Sequence, residues 1–233
     1  MSWMHRVLGK DGSSQLGVES THFAARVAGR PMHLGTRGAY ALGGVSGVMA
    51  AGMGANSEIF QMRWIDATRK LLVRSVSVSM APGTTAFTAG PIEMNLTFAR
   101  SWSVDGTLGA PIVFSTNNTN KKRTDFPLSL FSDTGVRIST TAALGAGTKT
   151  LDTNRAASVS GYVSSVATTA ASGPQLIPYT VLWQRNTHDE YPALFEQNEG
   201  LVVRATVPAT GTWQFSVGIE WCEVDPTEVE GWT

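Results

Sequence analysis

Between residues 213 and 221 every second side chain is large and apolar: Trp213, Phe215, Val217, Ile219 and Trp221. The interleaved Gln214, Ser216, Gly218, Glu220 and Cys222 are small or polar. Period-two spacing sends the two sets to opposite faces of an extended chain, so this stretch is a long, half-buried strand that needs a sheet to lie in. Leu201 to Val207, just before it, is apolar and rich in β-branched residues, and Pro208-Ala209-Thr210-Gly211 supplies one φ-fixed and one φ-permissive residue. Turn chemistry between two such runs predicts a hairpin from Gly200 to Val224.

The same alternation recurs upstream. Phe60, Met62 and Trp64 alternate with Gln61 and Arg63, and Ile92, Met94, Leu96 and Phe98 alternate with Glu93, Asn95, Thr97 and Ala99. From Leu71 to Met80 the even face, Leu72, Val76, Val78 and Met80, is the one predicted to be buried, with Arg74 as its exception. Ala110 to Phe114, Gly135 to Thr140 and Gln175 to Gln184 read as further strands, whereas Ala142 to Lys149 reads as flexible or loosely turned. Residues 155 to 174 are small and polar, with apolar spacing nearer three or four than two; a short surface helix and an irregular crossover both fit. Many short strands separated by turn signals predict an all-β chain, a jelly-roll-like antiparallel β-sandwich. No fixed-period repeat points to a propeller or a β-helix instead.

The domain layout follows from texture. Residues 1–56 are dominated by Gly, Ala and Met and alternate weakly, which predicts an extended N-terminal arm; a glycine-rich loop closing the sandwich is the other reading. Residues 57–225 form the predicted sandwich, and the acidic tail 226–233 is expected to fray.

Charge narrows the function classes. The 233 residues carry 18 basic and 18 acidic side chains, and charged residues make up 15% of the chain, against about 25% in an average globular domain. Zero net charge provides no field for nucleic acid or an anionic membrane, so neither is an expected partner. A surface so poor in charge fits a subunit covered by neighbours, and equally a hydroxyl-rich β surface that stays soluble alone. No run reaches the roughly 18 apolar residues of a membrane helix, and Met1 to Ser14 lacks the apolar segment of a secretory signal. The expectation is a protein made in a cytoplasm and not exported.

Chemical signatures are sparse. His5, His22, His33 and His188 have no His or Cys at metal-site spacing, and Cys222 is the lone cysteine, so no metal, no cofactor and no catalytic residues are expected. His188-Asp189-Glu190 is the most suggestive cluster, but consecutive residues of an extended chain point apart and the cluster reads as a polar turn. Glu93 and Glu220 sit on the polar faces of long strands, where solvent is the expected neighbour. Lys121-Lys122-Arg123, the one compact basic run, reads as a solvated loop. Asn95-Leu96-Thr97 and Asn117-Asn118-Thr119 match the glycosylation pattern, which needs a secretory route.

Four segments carry a family resemblance: Glu58 to Met80, Met94 to Thr107, Val136 to Asp152 and Asn198 to Val224. In sequence texture and order they resemble tailed-bacteriophage virion proteins of the jelly-roll capsid decoration or cement type. The resemblance implies a non-enzymatic structural subunit on the capsid surface, often a trimer, whose partners are copies of itself and the major capsid protein or other virion subunits. On that reading residues 1–56 anchor the lattice and the sandwich supplies subunit contacts. Two other classes compete: a tail or head-to-tail connector subunit, and a carbohydrate-binding fibre-like jelly roll using Trp3, Trp64, Trp102, Trp183 or Trp232 as sugar platforms.

Overall fold

In the computed structural model, residues 37–50, 52–116, 120–164, 176–185 and 192–226 are described, all within the unit Leu34–Thr233. The strands are β1 (Gly38–Val45), β2 (Ser57–Trp64), β3 (Lys70–Pro82), β4 (Gly90–Val104), β5 (Ala110–Pro111), β6 (Val136–Ile138), β7 (Thr148–Leu151), β8 (Ala157–Val163), β9 (Ile177–Gln184), β10 (Leu194–Phe195), β11 (Glu199–Thr206) and β12 (Trp213–Val224). One sheet runs β1-β12-β3-β10, with β9 also on β3. The other runs β5-β6-β2-β11-β4-β7, with β8 also on β4.

Every pairing is antiparallel, and the pairs nest: β1 with β12, β2 with β11, β3 with β9 and β10, β4 with β7 and β8. That is one long ribbon doubled back on itself. Rolling the ribbon brings β12 against β3 and β11 against β4, which makes the sandwich a jelly roll.

The hairpin expected from Gly200 to Val224 does not form. β11 has β2 and β4 on its two sides and β12 has β1 and β3, so the two strands lie in different sheets. Pro208 to Gly211 is a crossover. It is held by Thr210 and Thr212 hydroxyls accepting from the Thr88 and Thr85 amides, at 2.8 and 2.9 Å. Gly211 has φ +93, and a Cβ there would come within 2.6 Å of the Phe87 ring, so glycine is required. Alternation tells which face of a strand is buried, never which strand lies beside it.

The predicted burial of β12 does hold. Trp213, Phe215, Val217, Ile219 and Trp221 all point into the core. Trp221 is its hub, stacked on Tyr40 of β1 at 5.4 Å and met edge-on by Phe114 and Phe131 at 5.8 and 5.6 Å. Each such pair adds roughly 0.5–1.5 kcal/mol to the burial of the rings.

Bulges correct the reading of β3. Glu220 opposes Ser75 and Trp221 opposes Val73, leaving Arg74 as the extra residue. An extra residue flips the facing of everything beyond it. Val76, Val78 and Met80 therefore enter the core together with Leu71 and Val73, while Leu72 packs on the outer face with Cys222 and Val224. A second bulge at Ile59 lets Ile59 and Phe60 both face inward.

The domain boundaries also shift. Gly38–Val45, assigned from sequence to the arm, is a sheet strand paired along its length with β12, and Tyr40 and Leu42 are buried. The sandwich therefore begins before residue 57; residues 1–36 lie outside the described residues, as do 227–233 of the tail. Ala157–Val163, expected as helix or irregular crossover, is strand β8 on the margin of its sheet. The strand expected from Ala110 to Phe114 is confined to Ala110–Pro111, and β7 begins within the stretch read as loosely turned.

Candidate functional site

Charged, amide and aromatic side chains line two hollows around residues 152–156, the connection from β7 to β8. These two short strands pair with different ends of β4, so their connection is carried across the β4 edge. Bulges at Arg100 and Ser103 break the ladder with β7 and turn the Arg100 side chain over the Phe98 ring, 5.4 Å from its centre.

A hollow lies on each side of the connection. The first, about 440 Å³, is lined by Asn56, Thr153, Asn154, Arg155 and Arg204. Arg204 sits in the middle of β11, and its guanidinium donates to Asn95 Oδ1 at 3.3 Å and Thr97 Oγ1 at 2.7 Å. Both partners are neutral, and among the described residues no carboxylate lies within ion-pair distance of Arg204. Arg155, beside it, is paired with Glu93 at 2.9 Å and remains 44% exposed.

The second hollow, about 510 Å³, shares Thr153, Asn154 and Arg155 and adds Phe98, Arg100, Asp152, Ala156 and Trp183. Asp152 and Arg100 form a multiply bonded pair at 3.1–3.2 Å, and both side chains reach solvent. Trp183 is half-buried and meets Phe98 edge-on at 5.7 Å. Its indole nitrogen is buried without a partner, so whatever part of the ring the hollow reaches is carbon. The cleft continues past Trp183 to Pro192 and Leu194.

Other ionisable groups are built into the frame. Glu223 is fully buried on the inner side of β12, accepting from Ser129 Oγ at 2.7 Å, Leu130 N at 2.9 Å and Arg69 Nη1 at 3.3 Å. Burial raises its pKa despite those donors, and the cluster fastens the 129–131 segment over the core. Burial likewise lowers the Lys149 pKa, against the pull of Glu58 at 2.6 Å; the amine lies 4.6 Å from the Trp102 ring centre. Asp133 is held below the usual carboxylate range by the Ser115 hydroxyl and by the Ser115 and Phe114 amides.

The residues singled out from sequence separate clearly. Glu93 and Glu220 are tied to Arg155 and Lys122. In the basic run, Lys121 donates to the Thr124 and Phe126 carbonyls, Lys122 pairs with Glu220, and Arg123 pairs with Asp125. Cys222, expected on a polar face, is buried, and desolvation raises its pKa. Asn95 is fully buried, so its glycosylation pattern is inaccessible in the folded chain. Of the tryptophan candidates, Trp64 and Trp102 are core residues and Trp183 borders a cleft. Trp3, Trp232, the four histidines, Asp189, Glu190 and Asn117 to Thr119 lie outside the described residues. Among the described residues no three His, Cys, Asp or Glu side chains converge as metal ligands would. Sequence reasoning missed Arg204, although a lone cation inside the apolar run LVVRAT was a signal in its own right.

Separately, exposed aromatic and aliphatic side chains lie on β8 and β9, which pack side by side. β8 pairs with β4 alone and β9 with β3 alone among the described residues. Tyr162 and Tyr179 are 71% and 70% exposed there, and Val181 is also exposed. No protein-family model matches the chain, and no curated protein matches it.

Proposed function

We propose that the chain is a non-enzymatic structural subunit of a tailed-bacteriophage virion, a decoration or cement protein that assembles as a trimer and braces the capsid lattice. The observation that carries this reading is the β8–β9 margin. Two adjacent strands, each with a single sheet partner among the described residues and each carrying a solvent-facing tyrosine, offer exposed area that favours being covered, and Tyr is enriched where proteins meet. The low fraction of charged residues supports the same reading, since weakly charged surfaces associate readily. The aromatic hub and the Glu223 clamp hold the sandwich in one shape, which lowers the ordering cost of each contact. Many modest contacts repeated over a lattice then give strong attachment without a single strong site.

The test is the position of the chain in intact particles of the phage that encodes it, by electron cryomicroscopy. A regular array of copies on the capsid surface is the expected result. A single ring at the portal vertex would make the chain a connector instead, and absence from the particle would overturn the reading.

A further inference from the structure

We propose that the two hollows flanking residues 152–156 form one binding site for an acidic saccharide, with the sugar's carboxylate at Arg204 and Arg155 and its ring against Trp183. The proposal stands on the site's own chemistry and is independent of the virion reading.

Around Arg204 cations outnumber carboxylates. Arg204 is partly buried and its own hydrogen bonds go to neutral oxygens rather than to a carboxylate, and the planar fork of a guanidinium matches a carboxylate. Arg155 is only partly neutralised: its Nε pairs with Glu93 and its Nη2 makes a long bond to the neutral Asn56 Oδ1 at 3.4 Å, while the side chain remains 44% exposed. With the adjoining Lys149–Glu58 pair included, Arg204, Arg155 and Lys149 stand against Glu93 and Glu58, and that excess of one cation, around a hollow also lined by Asn56 and Asn154, leaves room for one more anionic group.

The second hollow says what else the ligand must offer. The carbon surface of Trp183 suits an apolar ring face. Arg100 and Asp152, locked together at the rim, present donors and acceptors side by side, and a hydroxyl group both donates and accepts. A sugar ring has this combination of a C–H face and an edge of hydroxyls. Free phosphate would satisfy Arg204 and Arg155 but leave Trp183 and Asp152 without a role. A phosphodiester chain would meet the Asp152 carboxylate, and the chain's zero net charge gives it no steering field. Because Arg155 lines both hollows, an acid group on one side and a ring on the other share one contact residue.

The test uses the full-length protein on a glycan array carrying uronate-terminated, sialate-terminated and neutral glycans. The best acidic binder, its neutral counterpart and inorganic phosphate are then titrated by calorimetry. Acidic glycans are expected to bind roughly tenfold or more tightly than their neutral counterparts, the worth of one charge-assisted hydrogen-bonded contact. Arg204→Gln should erase that preference, and the exposed variant Arg155→Gln should weaken it without disturbing the fold. Trp183→Ala should abolish binding of acidic and neutral glycans alike. The proposal fails if no carboxylated glycan binds, if phosphate binds as tightly as the best glycan, or if the Trp183 and Arg155 variants both leave affinity unchanged.

Discussion

β12 and the β8–β9 margin are built from the same kind of residue and do opposite things with it. In β12 the aromatics face inward between two flanking strands, and Trp221 touches three other rings. At the margin, Tyr162 and Tyr179 face solvent on strands with one partner each among the described residues. Composition therefore does not separate core from exposed surface. Position in the rolled ribbon does: strands closed in by the roll bury their aromatics, and strands at its margin have them free for a neighbour.

The sharpest way to break this contrast is to remove a closing strand. Deleting residues 1–33 should leave a cooperative β-sheet unfolding transition, since the unit beginning at Leu34 retains every described strand. Deleting residues 1–56 removes β1, uncovers one side of β12 and takes away Tyr40. Loss of the cooperative transition by circular dichroism is expected for the second deletion only. Capsid attachment surviving in the first would remove the anchoring role assigned to the arm.

Point substitutions compare the regions directly. Trp221→Ala should cost about 3–5 kcal/mol in denaturant unfolding, the usual penalty for emptying a large aromatic site. Tyr179→Ser and Tyr162→Ser should each stay within about 0.5 kcal/mol, as exposed substitutions do, and show their effect in association instead. Equal costs at both places would mean that the margin is part of the core.

A smaller, pH-dependent effect tests the buried frame. Glu223 has a raised pKa because ionising it inside the protein is costly. A carboxyl raised on folding contributes stability that is fully present below its ordinary value near 4.5 and is lost as pH climbs through the folded value. The stability of the wild type relative to Glu223→Gln should therefore increase as pH falls from neutral toward that range. A difference that is flat with pH would mean that Glu223 titrates as an exposed carboxylate does.

What the sequence disclosed follows from how strongly each strand is buried. β2, β4 and β12 have bulky inward residues at every second position, so their faces were readable. β1 is written GAYALGGV, and much of its inner surface is glycine lying close under neighbours; a Cβ on Gly44 would be 2.7 Å from Ile138 Cδ1. Close approach of that kind reads in sequence as flexibility. β8 is exposed along most of its length, so no hydrophobic pattern was required of it. The bulges at Ile59 and Arg74 broke the period locally, although Arg74 showed as the one charged residue on a face expected to be apolar. In the site, Trp183 was identifiable as a candidate, but the hollow it shares with Arg155, and the one Arg155 shares with Arg204, join β9, the β7–β8 connection and β11, which alternation alone does not bring together.

Self-association tests the central claim most directly. Analytical ultracentrifugation of the wild type beside a Tyr162→Ser/Tyr179→Ser double variant should give a trimeric mass for the first and a folded monomer for the second. A wild type that stays monomeric at high concentration, or a trimer that the double variant leaves intact, would contradict the assignment of the β8–β9 margin as the subunit contact.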